Sequence, residues 1–184
     1  MSRTNAAAAR ALTSNNPFEL FGLSPGFSID EEILEKAYRE IQSRVHPDRF
    51  AHAGDAERRA SLQWTTRVNE AYRALKDPVQ RGKHLLELHG VDVAFETNTA
   101  MPGEFLTQQM ALREALESAV SAKDPGTLSR LHQDLVSNKC SLEAEIAEAI
   151  DKKKDYAAAS QLVRKLMFLD KLDAEIDLAY EAIE

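Results

Sequence analysis

The chain has 184 residues, 43% of them hydrophobic, a formal net charge of -7 and one cysteine, Cys140. That length suits one domain or two small ones. No run approaches the roughly 18 apolar residues of a membrane span, and a lone thiol excludes an internal disulfide framework or a Cys-rich zinc site. The charge is uneven: residues 1–90 hold 13 Lys and Arg against 12 Asp and Glu, whereas residues 91–184 hold 10 against 18. Two halves of different charge imply two surfaces for different partners, and the acidic half, with no nucleic-acid-reading motif beside it, argues against a nucleic-acid partner.

Residues 1–15 are Ala-rich, contain Arg3 and Arg10 and lack acids. They resemble a transit peptide slightly but are short and have no apolar h-region, so they read as a flexible tail. From there almost every signal is helical. Asn16-Pro17-Phe18-Glu19 has the N-cap, the N1 proline and the early acid of a helix that Gly22 stops. Ser28-Ile29-Asp30-Glu31 reads as a capping box for a second helix, whose Ile33, Leu34, Ala37, Tyr38, Ile41 and Val45 recur on one face. Lys36, Arg39, Glu40 and Arg44 fall on the other. Gly54-Asp55 opens a third helix to about Lys76, with Leu62, Thr65, Val68, Ala71, Tyr72 and Leu75 as its buried stripe and Trp64 at the edge. Asp77-Pro78 opens a fourth, ending at Gly90.

Residues 91–101 lack helical period and read as a connector. Three further helices follow: Pro102-Gly103 to about Ala122, Asp124-Pro125 to about Ile150, and Asp155 to the C-terminus. Lys152, Lys153 and Lys154 mark the end of the middle one, where cations oppose the negative end of the helix dipole. Leu162, Leu166, Leu169, Asp173, Ile176, Tyr180 and Ile183 form a coiled-coil-like seam along the last, as Leu128, Leu131, Leu135, Leu142, Ile146 and Ala149 do along the one before. Amphipathic helices joined by short connections pack as an antiparallel three-helix bundle. The expected fold is all-α: a helical N-terminal domain over 16–90 and a bundle over 102–184.

Between the second and third helices stands His46-Pro47-Asp48. The proline fixes its own φ and pushes the residue before it out of the α region, so the helix must end there and present His46 and Asp48 on a loop. A polar pair on a loop held by two packed helices suits recognition of a partner. Ala37-Tyr38-Arg39, His46-Pro47-Asp48-Arg49-Phe50 and the run from Val68 to Pro78 (VNEAYRALKDP) together resemble a J-domain. Arg81, Leu85-Leu86-Glu87-Leu88-His89-Gly90 and the run from Val163 to Leu172 (VRKLMFLDKL) resemble the HscB family, the J-type co-chaperones of iron–sulfur cluster assembly.

The resemblance covers about residues 16–184 and implies a division of labour. The N-terminal J-domain hairpin would dock on the ATPase of an HscA/DnaK-class chaperone through His46, Pro47 and Asp48, with Lys36, Arg39 and Arg44 steering toward an acidic surface. Asp48 would offer a carboxylate to a chaperone arginine. The C-terminal bundle would hold the IscU-type scaffold through Leu106, Met110, Glu114 and Phe168; the first three share a helix face at i, i+4 and i+8, beside a core face of Phe105, Leu112, Leu116 and Val120. Thr107, Ala111 and Ser118 stand where the resemblance implies Met, Glu and Glu, so the expected patch is less acidic and less apolar. The family's eukaryotic zinc module does not precede the J-domain here, which favours the bacterial type and a cytoplasmic location.

Each feature has a plainer reading. The basic face could be solvated surface; Leu106, Met110 and Phe168 could be bundle core; His84 and His89, five apart, are structural rather than metal ligands. With no phosphate loop, nucleophile–base pair or metal-ligand spacing, the sequence describes no enzyme and no cofactor site. The alternative to scaffold delivery is a J-domain module that brings a different client to a DnaK-class ATPase.

Overall fold

The computed structural model describes residues 16–50, 52–91 and 102–183. The tail at 1–15 and nearly all of the connector at 91–101 lie outside the described residues. Among the described residues there is no strand; the chain forms α1 (Pro17–Leu20), α2 (Glu31–Val45), a 3-10 turn (Pro47–Phe50), α3 (Asp55–Lys76), α4 (Pro78–Leu88), α5 (Gly103–Ser121), α6 (Pro125–Ala147), a π-helical turn (Glu148–Lys153) and α7 (Tyr156–Ile183). It divides into two compact units, residues 1–85 and 86–184.

In the first unit α2 and α3 form an antiparallel hairpin. Tyr38 and Tyr72 stack at 4.2 Å between ring centroids, the Tyr38 hydroxyl donates to Asn69 Oδ1 at 2.9 Å, and at the other end Ser61 and Thr65 meet Val45. Leu34, Val68 and Leu75 are buried; α1, which buries Phe18 and Leu20, packs on α3, and Phe21 is buried just past its end. Burying one such side chain contributes about 1.5–3 kcal/mol. Arg81 is also buried: Nη1 donates to Leu75 O at 2.6 Å and its guanidinium lies 4.9 Å from the Phe27 ring centroid.

Three details differ from the sequence reading. Asp30, not Ser28, caps α2: its Oδ1 accepts the Ile33 N–H at 3.0 Å. With the helix starting at Glu31, Ile33 turns outward and is 54% exposed. In α3 the buried ridge is Ser61, Val68 and Leu75, at heptad spacing, and Leu62, one residue round from it, is 55% exposed.

In the second unit, Lys139 of α6 meets Asp170 of α7 while His132 meets Tyr180, so α6 and α7 run antiparallel. Phe105 meets Phe168 and Arg113 meets Glu175, so α5 and α7 run parallel, as an up-down-up bundle requires. The core joins Leu116, Ala119, Leu128, Leu135, Leu169, Leu172, Ile176 and Ala179, with Leu112, Val120, Leu131, Leu142, Tyr180 and Ile183 partly buried against it. Asp173, the polar member of the predicted seam, is answered from α6. Lys139 Nζ lies 2.8 Å from its Oδ2 and 2.6 Å from Asp170 Oδ1. Burial lowers the affinity of Lys139 for its proton, but the hydrogen bonds from Asp170 and Asp173 outweigh that and hold its pKa above the ordinary lysine value. The middle helix passes into the wider turn at Glu148 and stops where Lys154 takes a left-handed φ of 55°. The Asp155 N–H then reaches back to Ala149 O at 2.9 Å, and the Asp155 carboxylate caps α7 through the Ala158 N–H.

Candidate functional site

Two candidate surfaces emerge, one in each unit. The first is the turn between α2 and α3. The last carbonyls of a helix have no i+4 N–H to accept from, and at the C-terminus of α2 side chains supply donors. Ser61 Oγ donates to Val45 O at 2.6 Å and Thr65 Oγ1 donates to the same atom at 3.2 Å, while Arg49 Nη1 donates to Ser43 O at 3.0 Å. The turn is thus tied to α3 on one side and to α2 on the other. His46 leaves the helix with ψ at 132°, as the following proline demands.

What the turn presents is polar and open. The His46 side chain is 47% exposed and that of Asp48 89%. His46 Nδ1 accepts the Asp48 backbone N–H at 3.3 Å and lies 3.5 Å from Asp48 Oδ2. This internal contact orients the imidazole and leaves the carboxylate in solvent, free to accept a partner's guanidinium. Pro47 is half-buried. Lys36, Arg39 and Arg44 are exposed on α2, and Arg39 pairs with Glu35 one turn earlier. An exposed pair of that kind contributes at most a few tenths of a kcal/mol, about 0.3–0.5, and opens readily for a partner.

The second surface is on α5. Leu106 is 42% exposed, Met110 63%, and Glu114 is exposed beside them, so neither apolar residue is core within the unit. Phe168 is half-buried on α7, edge-on to Phe105 at 6.0 Å between centroids and 72° between planes. Lys171 Nζ lies 5.8 Å from the Phe168 ring centroid. Phe105 therefore links Phe168 to the α5 segment that carries Leu106 and Met110. Thr107, Ala111 and Ser118 are exposed on the same helix. Among the described residues no three His, Cys, Asp or Glu side chains are grouped to hold a metal ion, and no helix is long and apolar enough to cross a membrane.

Sequence reasoning passed over Ser61. A serine in an amphipathic helix carries no signal of its own; only its burial against the end of α2 shows that it latches the turn. Asn69 and Gln42, which tie Tyr38 between α2 and α3, are of the same kind.

A His-Pro-Asp turn fastened between two antiparallel helices defines a J-domain protein, and residues 16–84 match the DnaJ domain family. Residues 101–177 match the family described as the HSCB C-terminal oligomerisation domain. The chain is 51% identical over 167 residues, 91% of its length and 94% of the relative's, to the co-chaperone protein HscB homolog of Azoarcus sp. (strain BH72). Its structure is similar to that of the chaperone HscB from Vibrio cholerae, with a TM-score of 0.80 at 33% identity, covering 92% of this chain and 99% of that one. It is also similar to the human co-chaperone protein HscB, with a TM-score of 0.84 at 25% identity, covering 90% and 82% respectively. The chain belongs to the HscB family of J-domain co-chaperones.

Proposed function

We propose that the protein works in the cytoplasm as an activator of an HscA/DnaK-class ATPase and delivers an IscU-type iron–sulfur scaffold to it. The hydrolysis belongs to the partner. The observation that carries this reading is the His46-Pro47-Asp48 turn, tied down at its base and exposed at its tip. A turn built so rigidly loses little entropy when a partner closes over it, and the Asp48 carboxylate, open to solvent, suits a charge-assisted contact with an arginine. Lys36, Arg39 and Arg44 add positive charge on the adjoining helix face and would raise the rate of encounter with an acidic ATPase domain.

Leu106, Met110, Glu114 and Phe168 are the residues we assign to the scaffold. Two exposed apolar side chains at i and i+4, followed by a carboxylate at i+8, form a stripe with a dry centre and a charged end. The lone thiol, Cys140, is exposed, as a reducing compartment tolerates.

The test is single-turnover ATP hydrolysis by an HscA-type chaperone at saturating co-chaperone. His46→Gln and Asp48→Asn should each abolish stimulation while the helical signal and melting temperature stay those of the wild type. Full stimulation by either variant would sink the assignment of the turn.

A further inference from the structure

The second unit holds a cleft of about 230 Å³ among α5, α6 and α7. From α5 it is lined by Phe105, Gln108, Gln109 and Leu112, but not by Leu106 or Met110. We propose that this cleft takes an extended segment of the scaffold-type partner and binds its main chain, with Gln109 accepting a backbone N–H. The proposal rests on the assignment of the bundle to a scaffold and adds a second contact of different chemistry.

Three observations carry it. Gln109 is only 4% exposed, yet its Oε1 accepts no hydrogen bond among the described residues. Buried polar groups nearly always have a partner, and one without destabilises the chain that carries it. An unmatched acceptor in the wall of a cleft therefore points to a donor supplied from outside, and a small turn about χ3, a soft torsion, carries the oxygen toward it. Second, the polar lining matches a peptide unit. Gln108, Asn138 and Ser141 bring donors and acceptors together, and the charges of Glu145 and Lys165 cancel. A site with no net charge selects against an ion and suits a group that offers one N–H and one C=O. Third, the site is long. Ser141 and Glu145 also line the next concavity, of about 450 Å³, which reaches Ala149 and Lys153 on one side and Leu162 of α7 on the other. Together the two follow the chain from Asn138 to Lys153, roughly 22 Å at helical rise, the span of about seven extended residues. The upper end opens beside the scaffold patch, because Phe105 walls the cleft and also packs edge-on against Phe168.

The experiment uses the full-length chain and an intact IscU-type scaffold as the probe, with calorimetry beside an isothermal titration. Gln109→Met keeps the size of the side chain and removes its polar atoms. The melting temperature should stay at or above that of the wild type, since the unmatched group is gone, while the Kd for scaffold rises about tenfold with the lost hydrogen bond. Ser141→Phe, at an exposed position of the cleft wall, should weaken binding by a similar factor at an unchanged melting temperature. Hydrogen exchange in the complex should show a short run of scaffold amides slowed by the wild type and left fast by Gln109→Met. Wild-type affinity in Gln109→Met, in an assay where Leu106→Ala with Met110→Ala loses binding, would overturn the cleft and leave the α5 patch standing. A melting temperature that falls together with affinity would assign Gln109 to the core and overturn the cleft too. Wild-type self-association that Ser141→Phe abolishes, with scaffold affinity untouched, would give the cleft to a second copy, against the proposal. A wild-type chain that binds no such scaffold would remove the scaffold reading and the cleft together.

Discussion

At Val45 a carbonyl at the end of a helix meets a serine hydroxyl 16 positions further along the chain, at 2.6 Å. That contact, with those of Thr65 and Arg49, fastens the base of the turn formed by the next three residues. Removing one such hydrogen bond costs about 1 kcal/mol, and Thr65 remains as a second, longer donor at 3.2 Å. We expect Ser61→Ala to lower stability by about 1 kcal/mol in urea and to speed hydrogen exchange of the backbone amides of residues 48–50. ATPase stimulation should fall only in part, because His46 and Asp48 are still present. Exchange rates equal to the wild type would show that Thr65 and Arg49 fasten the turn alone. Burial hid Ser61 from the sequence, whereas Pro47 was legible, since its constraint on φ acts in any context.

At the scale of the element, the helix ends were the most readable part of the chain. Asn16, Asp124 and Asp155 all cap where their side chains suggested, because a cap needs only a short acceptor and the following N–H groups. Asp124 makes most of this: Oδ1 accepts from the Gly126 and Thr127 N–H groups at 3.0 and 3.1 Å, and Oδ2 accepts from Thr127 Oγ1 at 2.6 Å. The Thr127 hydroxyl is the main reason its pKa lies below the usual aspartate value, followed by the Thr127 N–H. A depressed carboxylate contributes stability above its unfolded pKa, about 4, and loses that contribution as pH falls through the lower folded value. The melting-temperature advantage of wild type over Asp124→Asn should thus shrink as pH drops from 6 to about 2.5. A difference that stays constant across that range would show that the charge adds nothing to the cap. The end of the middle helix was less readable: three lysines announced a stop but not the wider turn that precedes it, which the Asp155 N–H to Ala149 O bond closes.

At the scale of the whole molecule the chain carries two compact units with one candidate surface in each. If they act independently, a lesion in one should spare the other. Leu106→Ala combined with Met110→Ala should weaken scaffold binding by well over tenfold, since interface anchors contribute about 2 kcal/mol each, while ATPase stimulation by the co-chaperone alone stays at the wild-type level. Because both side chains are exposed, the melting temperature should hardly move. Phe168→Ala is a different case: its ring packs edge-on against Phe105, so it should lose stability as well as binding. Calorimetry beside an isothermal titration with scaffold separates these outcomes. Undiminished affinity in the double variant would remove the α5 patch from the proposal and leave the J-domain part intact.

The sequence alone determined the helical class, the caps at Asn16, Asp124 and Asp155, the break at Pro47 and the family, because each rests on local chemistry or on a run of residues read in order. Helical spacing also found the core positions Leu34, Val68, Leu128 and Ile176, for period is a property of one helix. Only the tertiary structure decided which edge of each stripe is buried. A stripe is wider than the ridge that another helix can cover, so Ile33 and Leu62 stayed outside while Ser61 went in. It also decided the partners of Asp173, since Lys139 lies 34 residues away and meets it only when α6 and α7 align. The exposure of Leu106 and Met110 has the same cause: in a three-helix bundle each helix keeps a face that neither neighbour reaches, and packing selects that face.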